Sequence, residues 1–341
     1  HLVIPSSRIV RPQSKNATYE EGTMSNIESV LGPMETSDLG FTLSHEHIVV
    51  SSAGIPQIYP EFIQREDSIT EAIKVLSEAK DEGLDSIIDV TTLDLGRDIH
   101  MLAKVSKESG VNIICATGTW RDIPRVFWNA SIDSVATLYK REITTGIEDT
   151  NIKAGIIKVA NDVGGVTREG EVILRAAARA QKETGVPIST HTWAPDRVGE
   201  QQVRIFEDEK VDLNRVYVGH SNDTMDIHYL ESLLDKGVWI GLDRYPGGRT
   251  VGTPNWKQRT DTAMRLIADG YGKRIMLGHD WSVRLSIDSK EGQTSRSKYN
   301  PDGYLFISRQ VLPRLKDLGA SEEDIQNIMV DNPRRFFEGK N

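Results

Sequence analysis

Short apolar runs alternate with longer amphipathic stretches along the chain from about residue 41 onward. Buried strands of a parallel sheet give such apolar runs, and surface helices give the amphipathic stretches, several of which end in glycine. The predicted strands are FTLSHEH, DSIIDVTT, VNIICATG, AGIIKVA, VPISTH, RVYVGH, VWIGLD and RIMLGHD, which end near residues 47, 91, 117, 158, 191, 220, 243 and 280. Predicted helices follow the first seven strands over residues 68–83, 98–110, 134–149, 171–185, 200–211, 224–237 and 259–272.

This alternation predicts a single α/β domain, a (β/α)8 TIM barrel over residues 24–341 with its active site at the C-terminal strand ends. Residues 281–301 are expected to form a long irregular loop that is a lid or disordered. Two more helices are predicted over residues 303–319 and 321–339, and Ser321 with Asp324 comes close to a capping box at the start of the second. Residues 1–23 lack periodicity, precede Met24 and are interpreted as a vector-derived leader.

Composition limits the classes of function. The formal charge of −9 argues against a nucleic-acid partner. No apolar run approaches the roughly 18 residues needed to span a bilayer, so no membrane partner is expected. The single cysteine, Cys115, excludes an intrachain disulfide and is compatible with a cytoplasmic location. A small-molecule partner fits these limits.

The first predicted strand ends in His45, Glu46 and His47. Residues two apart on a strand point to the same face, so the two imidazoles project side by side and Glu46 points the other way. Two parallel imidazoles suit a divalent metal ion. The alternative is a pair of surface or hydrogen-bonded histidines.

Other predicted strand ends carry polar residues that suit the same chemistry. A lone strand histidine is more often a satisfied core residue, and a lone strand lysine or aspartate is more often half of an ion pair. Together, however, these residues converge on one barrel mouth, which predicts a shared site. Besides the histidine pair they are Lys158, His191, His220, Asp243 and Asp280.

Lys158 lies between Ile157 and Val159, where an unpaired ammonium ion would be costly to bury. Burial lowers the pKa of a lysine and leaves a neutral, nucleophilic amine. That amine could form a Schiff base with a carbonyl substrate, or it could capture carbon dioxide and become an anionic carbamate that bridges two metal ions. The surrounding histidines favour the carbamate.

The stretch GFTLSHEHI resembles the signature of the phosphotriesterase family, metal-dependent barrels of the amidohydrolase superfamily. The resemblance extends from about Gly32 to Phe337 through IKAGIIKVA, ISTHT, VGHSND, GLDRY, GHDW and DNPRRFF. It implies that His45, His47 and Asp280 bind one metal ion and that His191 and His220 bind a second. Carbamylated Lys158 would bridge both ions together with a hydroxide. Zinc is the expected metal, with iron, cobalt or manganese as alternatives, and a homodimer is the expected assembly.

Two positions bear on the substrate. Arg244 follows Asp243, as in the phosphotriesterase-like lactonases, whereas Trp120 lies in a short ATGTWRDIP stretch that is closer to phosphotriesterases proper. We therefore expect a lactonase, acting on N-acyl-homoserine lactones in quorum quenching, with promiscuous organophosphate triesterase activity. Asp280 would move a proton from the attacking hydroxide to the leaving oxygen. Arg244 would bind a substrate carbonyl or position the hydroxide, unless it forms a salt bridge to an acid such as Asp243.

Several apolar side chains are candidates for the wall of a substrate pocket. Trp120, Trp193 and Trp281 follow strand ends, and Tyr59 belongs to an apolar IPQIYP stretch. Val283, Leu285 and Ile287 would line a channel for an acyl chain, unless their segment is a solvated loop. Rival interpretations are a phosphotriesterase or carboxylesterase with another ester or amide substrate, a mononuclear deaminase, and a barrel without enzymatic activity.

Overall fold

Eight parallel strands form the centre of the protein in a computed structural model that describes residues 26–285 and 290–340. The leader proposed for residues 1–23 lies outside the described residues. The strands are β1 Thr42–Glu46, β2 Ser86–Asp89, β3 Asn112–Thr119, β4 Ile156–Ala160, β5 Ile188–His191, β6 Val216–Val218, β7 Trp239–Leu242 and β8 Ile275–Leu277. They pair in sequence order, each with the next.

The sheet returns on itself between β8 and β1. The Asp280 amide donates to the carbonyl of His45 at 3.0 Å, and the Ser44 hydroxyl donates to the carbonyl of Leu277 at 2.9 Å. With helices around it, the sheet confirms the predicted (β/α)8 barrel. Strand register then brings residues from distant parts of the chain together, as when Lys158 on β4 lies opposite Gly118 on β3 and Ser189 on β5.

Helices follow the first seven strands as the apolar spacing predicts, and further helices follow β8. Apart from the single turn Ile55–Ile58, they are α1 Arg65–Asp81, α2 Ile99–Ser109, α3 Ile132–Thr144, α4 Arg168–Thr184, α5 Val198–Asp208, α6 Ile227–Leu234, α7 Trp256–Leu266, α8 Lys290–Tyr299, α9 Leu312–Asp317, α10 Glu322–Gln326 and α11 Asn332–Glu338. Side chains cap several N-termini, and Ser321 with Asp324 forms the capping box expected before α10. None of the described helices is both long and apolar enough to cross a membrane.

The barrel interior is filled below the strand ends. Buried side chains of the strands meet a phenylalanine pair of α11 and the antiparallel hairpin of Asn26–Ser29 and Gly32–Glu35. This apolar layer leaves the opposite, C-terminal end of the barrel open for polar residues. Its members include Ile27, Ile88, Ile114, Ile156, Tyr217, Trp239, Met276, Phe336 and Phe337.

The segment after β8 differs from the expectation of an irregular loop. Arg284–Leu285 forms a short parallel pair with Val49–Val50, and α8 occupies residues 290–299. The polar composition that predicted a loop is also compatible with a helix whose polar face meets solvent. In this segment the buried side chain of Arg296 donates to Ser282 and lies 4.5 Å above the ring of Trp281.

Among the strands that end earlier than expected are β6 and β8, which end at Val218 and Leu277. His220 and Asp280, which follow, have left-handed backbones with φ of 59° and 53°. Their amides donate to Asp243 and to the carbonyl of His45 instead of to a strand ladder. Such strained conformations persist only where the surroundings determine them, and they concentrate at functional sites.

Candidate metal centre

A cavity of about 520 Å³ lies at the C-terminal end of the barrel. All six predicted metal ligands line this cavity, although they come from five different strand ends or the turns after them. The histidines and the lysine are buried, and Asp280 is the most accessible, with 24% of its side chain exposed. The six are His45, His47, Lys158, His191, His220 and Asp280.

Three of the histidines are held through Nδ1. His45 and His220 each contact one oxygen of the Asp243 carboxylate, at 2.8 and 2.9 Å, and His47 contacts the Thr91 hydroxyl at 2.8 Å. A partner on Nδ1 fixes the ring orientation and leaves Nε2 for a ligand, as in many metal sites. The Nε2 atoms of His45 and His47 lie 3.5 and 3.3 Å from one oxygen of Asp280.

Asp243 itself is fixed by a crowded environment. Its carboxylate accepts a third side-chain hydrogen bond from the Tyr217 hydroxyl at 2.8 Å. Tyr217 fits there because Gly241 has no side chain: a Cβ at this position would lie 2.3 Å from the tyrosine oxygen. A buried carboxylate of this kind is stable only when its oxygens accept hydrogen bonds.

His191 is held by contacts that differ from those of the other three histidines. Its ring lies 4.4 Å from that of His220, its Nδ1 accepts from the indole of Trp120 at 3.3 Å, and its Nε2 lies 3.4 Å from Asp162. The ligand atoms of His45, His220 and Asp280, by contrast, all lie within 4.8 Å of one another and form a candidate metal site.

The ionisation of the cluster suits metal binding. Burial lowers the pKa of His45 and His220, and it lowers that of His191 to about 4, so these rings are neutral near pH 7. Burial alone would raise the pKa of Asp280, but the imidazoles of His220 and His47 and the guanidinium of Arg244 hold it well below its usual value. Neutral imidazoles and an ionised carboxylate are ligands for zinc and similar divalent ions.

Lys158 has no conventional ion pair. Its Nζ lies 3.4 Å from Nε2 of His45, and no carboxylate of the described residues is within ion-pair distance. Burial lowers the pKa of this amine to about 8. A lysine so placed is partly neutral at physiological pH, which fits either role considered for it from the sequence.

Arg244 forms ion pairs, but not with Asp243. Its Nη1 donates to Asp223 at 2.6 Å and its Nε donates to Asp280 at 3.0 Å. Asp223 also accepts from the buried Arg259 at 2.8 Å. The guanidinium therefore lies in the cavity wall directly beside Asp280. It contacts both Asp280, a predicted catalytic residue, and Asp223, which is paired with Arg259.

The predicted pocket wall is found in part. Trp120, Trp281 and Leu285 line the cavity. Among the described residues, the cavity lining does not include Trp193, which is half-buried beside β5, or Tyr59, which is 48% exposed against Phe62. Val283 packs partly buried against the main core rather than on the cavity, and Ile287 lies outside the described residues.

Glu46 points away from the cavity, as its position between the two histidines predicts, and it makes contacts that the sequence reasoning missed. Its carboxylate pairs with the His279 imidazole at 2.7 Å and accepts from the amides of His279 and Trp281 at 2.8 and 3.1 Å. These two residues flank Asp280. The buried carboxylate thus holds the turn that presents Asp280 to the cavity.

We expect Glu46→Gln to lower the free energy of unfolding by about 1–3 kcal/mol, because an amide replaces one of the buried acceptor oxygens with a donor. Urea denaturation measures this change. Glu78→Gln, at an exposed position on α1, is the control and should leave stability unaltered. Equal midpoints for wild type and Glu46→Gln would show that the turn does not depend on this carboxylate.

Fold and site together define a (β/α)8 barrel protein with a candidate metal centre of imidazoles, a lysine and a carboxylate at its C-terminal end. Comparison with known proteins identifies the family within this class of barrel proteins. The model of the phosphotriesterase family matches residues 25–337, and the chain belongs to that family of hydrolases. The resemblance seen in the sequence motifs is thereby confirmed.

Several relatives carry names that describe an activity. An aryldialkylphosphatase of Saccharolobus solfataricus is 39% identical over 311 residues, which cover 89% of this chain and 96% of that protein. A phosphotriesterase homology protein of Mycobacterium tuberculosis is 40% identical over 325 residues, 92% of this chain and 98% of that protein. An N-acetyltaurine hydrolase of Dictyostelium discoideum is 33% identical over 276 residues, 78% of this chain and 72% of that protein.

Proposed function

We propose that the protein is a binuclear metal-dependent hydrolase that opens lactones, in particular N-acyl-homoserine lactones, and hydrolyses organophosphate triesters as a secondary activity. The observation that carries this proposal is the cluster of buried His45, Lys158 and His220 with the more accessible Asp280, and with Arg244 beside it. In a hydrolase of the phosphotriesterase family, Arg244 after Asp243 favours the lactonase branch.

Six side chains would hold the metal ions. We infer that His45, His47 and Asp280 bind one ion, that His191 and His220 bind the other, and that Lys158 is shared as a carbamate. The carbamate forms when the neutral amine attacks carbon dioxide and loses a proton, which its low pKa favours. Two divalent ions, zinc first and iron, cobalt or manganese as alternatives, would lower the pKa of water and polarise the ester oxygen.

The chain's own residues would do the remaining work. Asp280, held ionised, accepts a proton from the attacking hydroxide and passes it to the leaving oxygen. Arg244 donates to the ring carbonyl and keeps Asp280 oriented through the bond to its Nε. Trp120, Trp281 and Leu285 provide apolar walls, which suit an acyl chain and exclude water from it.

A substrate panel tests the proposal. Metal-loaded protein should contain about two ions per chain, and kcat/KM should be highest for N-acyl-homoserine lactones and lower for an aryl ester, paraoxon and an N-acyl amide. Inductively coupled plasma mass spectrometry measures the metal. A preference for another ester or for the amide would contradict the lactonase assignment, and a metal-free active enzyme would contradict the metal centre.

Arg244→Ala should reduce kcat/KM for lactones more than for triesters, because only the lactone is proposed to use the guanidinium on its carbonyl. We expect a loss of about 10²-fold for the lactone, the size expected for removal of one donor to a developing oxyanion. Steady-state kinetics on both substrates measure the ratio. Arg314→Ala, which removes an ion pair on the protein surface, is the control. Equal losses for both substrates in Arg244→Ala would contradict the role assigned to Arg244.

The expectations of a homodimer and of a cytoplasmic location remain predictions, as does the single-domain boundary at residue 24. Light scattering on purified protein tests the assembly. A monomer at micromolar concentration would contradict the expected dimer without affecting the catalytic proposal.

A further inference from the structure

The position of the proton on His191 follows from its contact with Trp120. An indole N–H is a donor only, and that of Trp120 donates to Nδ1 of His191 at 3.3 Å. Nδ1 therefore carries no proton, and the single proton of the ring is on Nε2. This nitrogen is shielded from solvent, and within the described residues it makes no hydrogen bond.

The Nε2 atom of His191 lies 3.4 Å from Oδ2 of Asp162, the only carboxylate within ion-pair distance of this ring in the described part of the chain. A metal-bound histidine commonly donates its other ring N–H to a carboxylate, which fixes the tautomer and the orientation of the ring. We propose that Asp162 is a positioning residue that holds His191, through Nε2, with Nδ1 available to the second metal ion. This inference rests on the proposed function.

Asp162 is itself fixed in the turn after β4. Its Oδ1 accepts from the amide of Val163 at 2.9 Å, and its Oδ2 is paired with Arg121 at 2.5 Å. The amide of Gly165 donates to the Asp162 carbonyl at 2.9 Å, which closes the turn. A carboxylate held at both oxygens can orient a neighbouring ring because it does not move with that ring.

The turn that carries Asp162 is also bonded to the strand that carries His191. The backbone amide of Asn161 donates to the His191 carbonyl at 3.1 Å. From α5, Nε2 of Gln202 donates to that carbonyl and to the Asn161 side chain, each at 2.9 Å. These bonds fix the two backbones next to each other, so the carboxylate and the imidazole remain neighbours when the side chains adjust.

Trp120 and Arg121 complete the surroundings of His191. The guanidinium of Arg121 lies 5.1 Å from the ring centre of Trp120, on the side of the residue that pairs with Asp162. The lone pair on Nδ1 can serve the indole or a metal ion, but not both, so Trp120 has to release Nδ1 before an ion can bind there. Once a cation is on Nδ1, the Nε2–H group is a stronger donor to the Asp162 carboxylate.

Zinc titration of the metal-free full chain in bicarbonate buffer, with a chelating dye as competitor, tests the proposal. Wild type should bind two ions. In Asp162→Leu, which is similar in size but has no acceptor, one ion should bind about 10–100-fold more weakly, the loss typical of such outer partners. The other ion should bind as in wild type, which also shows that the variant folds. Asp196→Leu, at an exposed position after β5, is the matched control and should bind both ions normally.

NMR of ¹⁵N-labelled protein gives a second readout, which a merely structural role of Asp162 would not produce. In metal-free wild type, long-range proton–nitrogen correlations, assigned with His191→Asn, should place the ring proton of His191 on Nε2. During zinc titration, the indole N–H signal of Trp120 should shift with the ion that Asp162→Leu weakens and not with the other. A ring proton on Nδ1, or a shift with the other ion, would overturn the proposal.

Asp162→Asn should weaken the same ion to a smaller extent, because its oxygen can still accept from Nε2 but carries no charge. This variant also keeps the test valid if Asp162→Leu does not fold. Wild-type affinity for both ions in either folded variant would overturn the role of Asp162 and leave the proposed binuclear hydrolase intact. Binding of fewer than two ions by wild type would overturn both proposals, so the two failures are distinguishable.

Discussion

Asp280→Asn is expected to lower kcat by about 10²–10⁴-fold while leaving the fold intact, which is the range for loss of a general acid–base group. The asparagine keeps the shape of the side chain and still accepts from Arg244 through its oxygen. It cannot accept and release the proton that the reaction moves. In the structure, one oxygen of Asp280 lies beside Nε2 of His45 and His47, so the substitution would also remove the charge of a proposed metal ligand.

Steady-state kinetics, metal analysis and thermal melting on the same preparation separate these effects. A variant that retains its metal but has lost turnover points to the proton transfer, and a variant that has lost both points to ligation. Asp261→Asn, which alters a surface ion pair with Arg314, is the matched control and should behave as wild type. Near-normal turnover of Asp280→Asn would contradict both roles.

Lys158→Ala should lose most of the bound metal and, with it, at least 10²-fold in activity. The proposed carbamate would be the only anionic side chain shared by the two ions, and alanine leaves a space where it stood. Short carboxylic acids such as formate and acetate should restore part of the activity, because they can enter that space and supply an anion. Metal analysis and activity against carboxylate concentration measure the effect.

Lys153→Ala, on the approach to the same strand, is the control for loss of a lysine and should retain metal.

Loading of metal-free wild type should also depend on pH. The neutral fraction of Lys158 rises about tenfold from pH 7 to 9, because its pKa is near 8. At constant dissolved carbon dioxide, faster loading at higher pH is expected. Unchanged metal content in Lys158→Ala would contradict the bridge.

The barrel could be predicted because its strands are fully buried. Runs such as AGIIKVA and RVYVGH are apolar on both faces, and this pattern depends on local sequence alone. The segment after β8 could not be predicted in the same way. Its helix α8 is polar in composition, and tertiary contacts such as Arg296 with Trp281 accompany its placement against the barrel.

The candidate site was predicted where a motif marks it and missed where contacts alone define it. The spacing of His45 and His47 fixes their common face, and the structure places both on the cavity. The contacts that orient the site, by contrast, join residues that are far apart in the sequence. Asp243 contacts His45 across 198 residues, and Glu46 contacts His279 across 233. No local pattern encodes such pairs.

Loop residues were the least predictable part of the site. Tyr59 and Trp193 follow strands that end at the cavity, but the direction of a side chain after a strand depends on the turn that follows. Trp193 leads directly into a 3-10 turn at Ala194–Asp196, and Tyr59 ends a single helical turn on the surface. Trp120 faces the cavity because its indole donates to His191.

The closure of β8 against β1 has a consequence for the synthesis of the protein. The predicted ligands extend from His45 to Asp280, so a chain emerging from the ribosome carries most of them long before the last one appears. Until β8 has emerged and joined β1, the backbone bond from Asp280 to His45 does not exist. Metal capture is therefore expected to follow translation of β8 and Asp280, and nascent chains truncated before β8 should compete poorly for cellular metal.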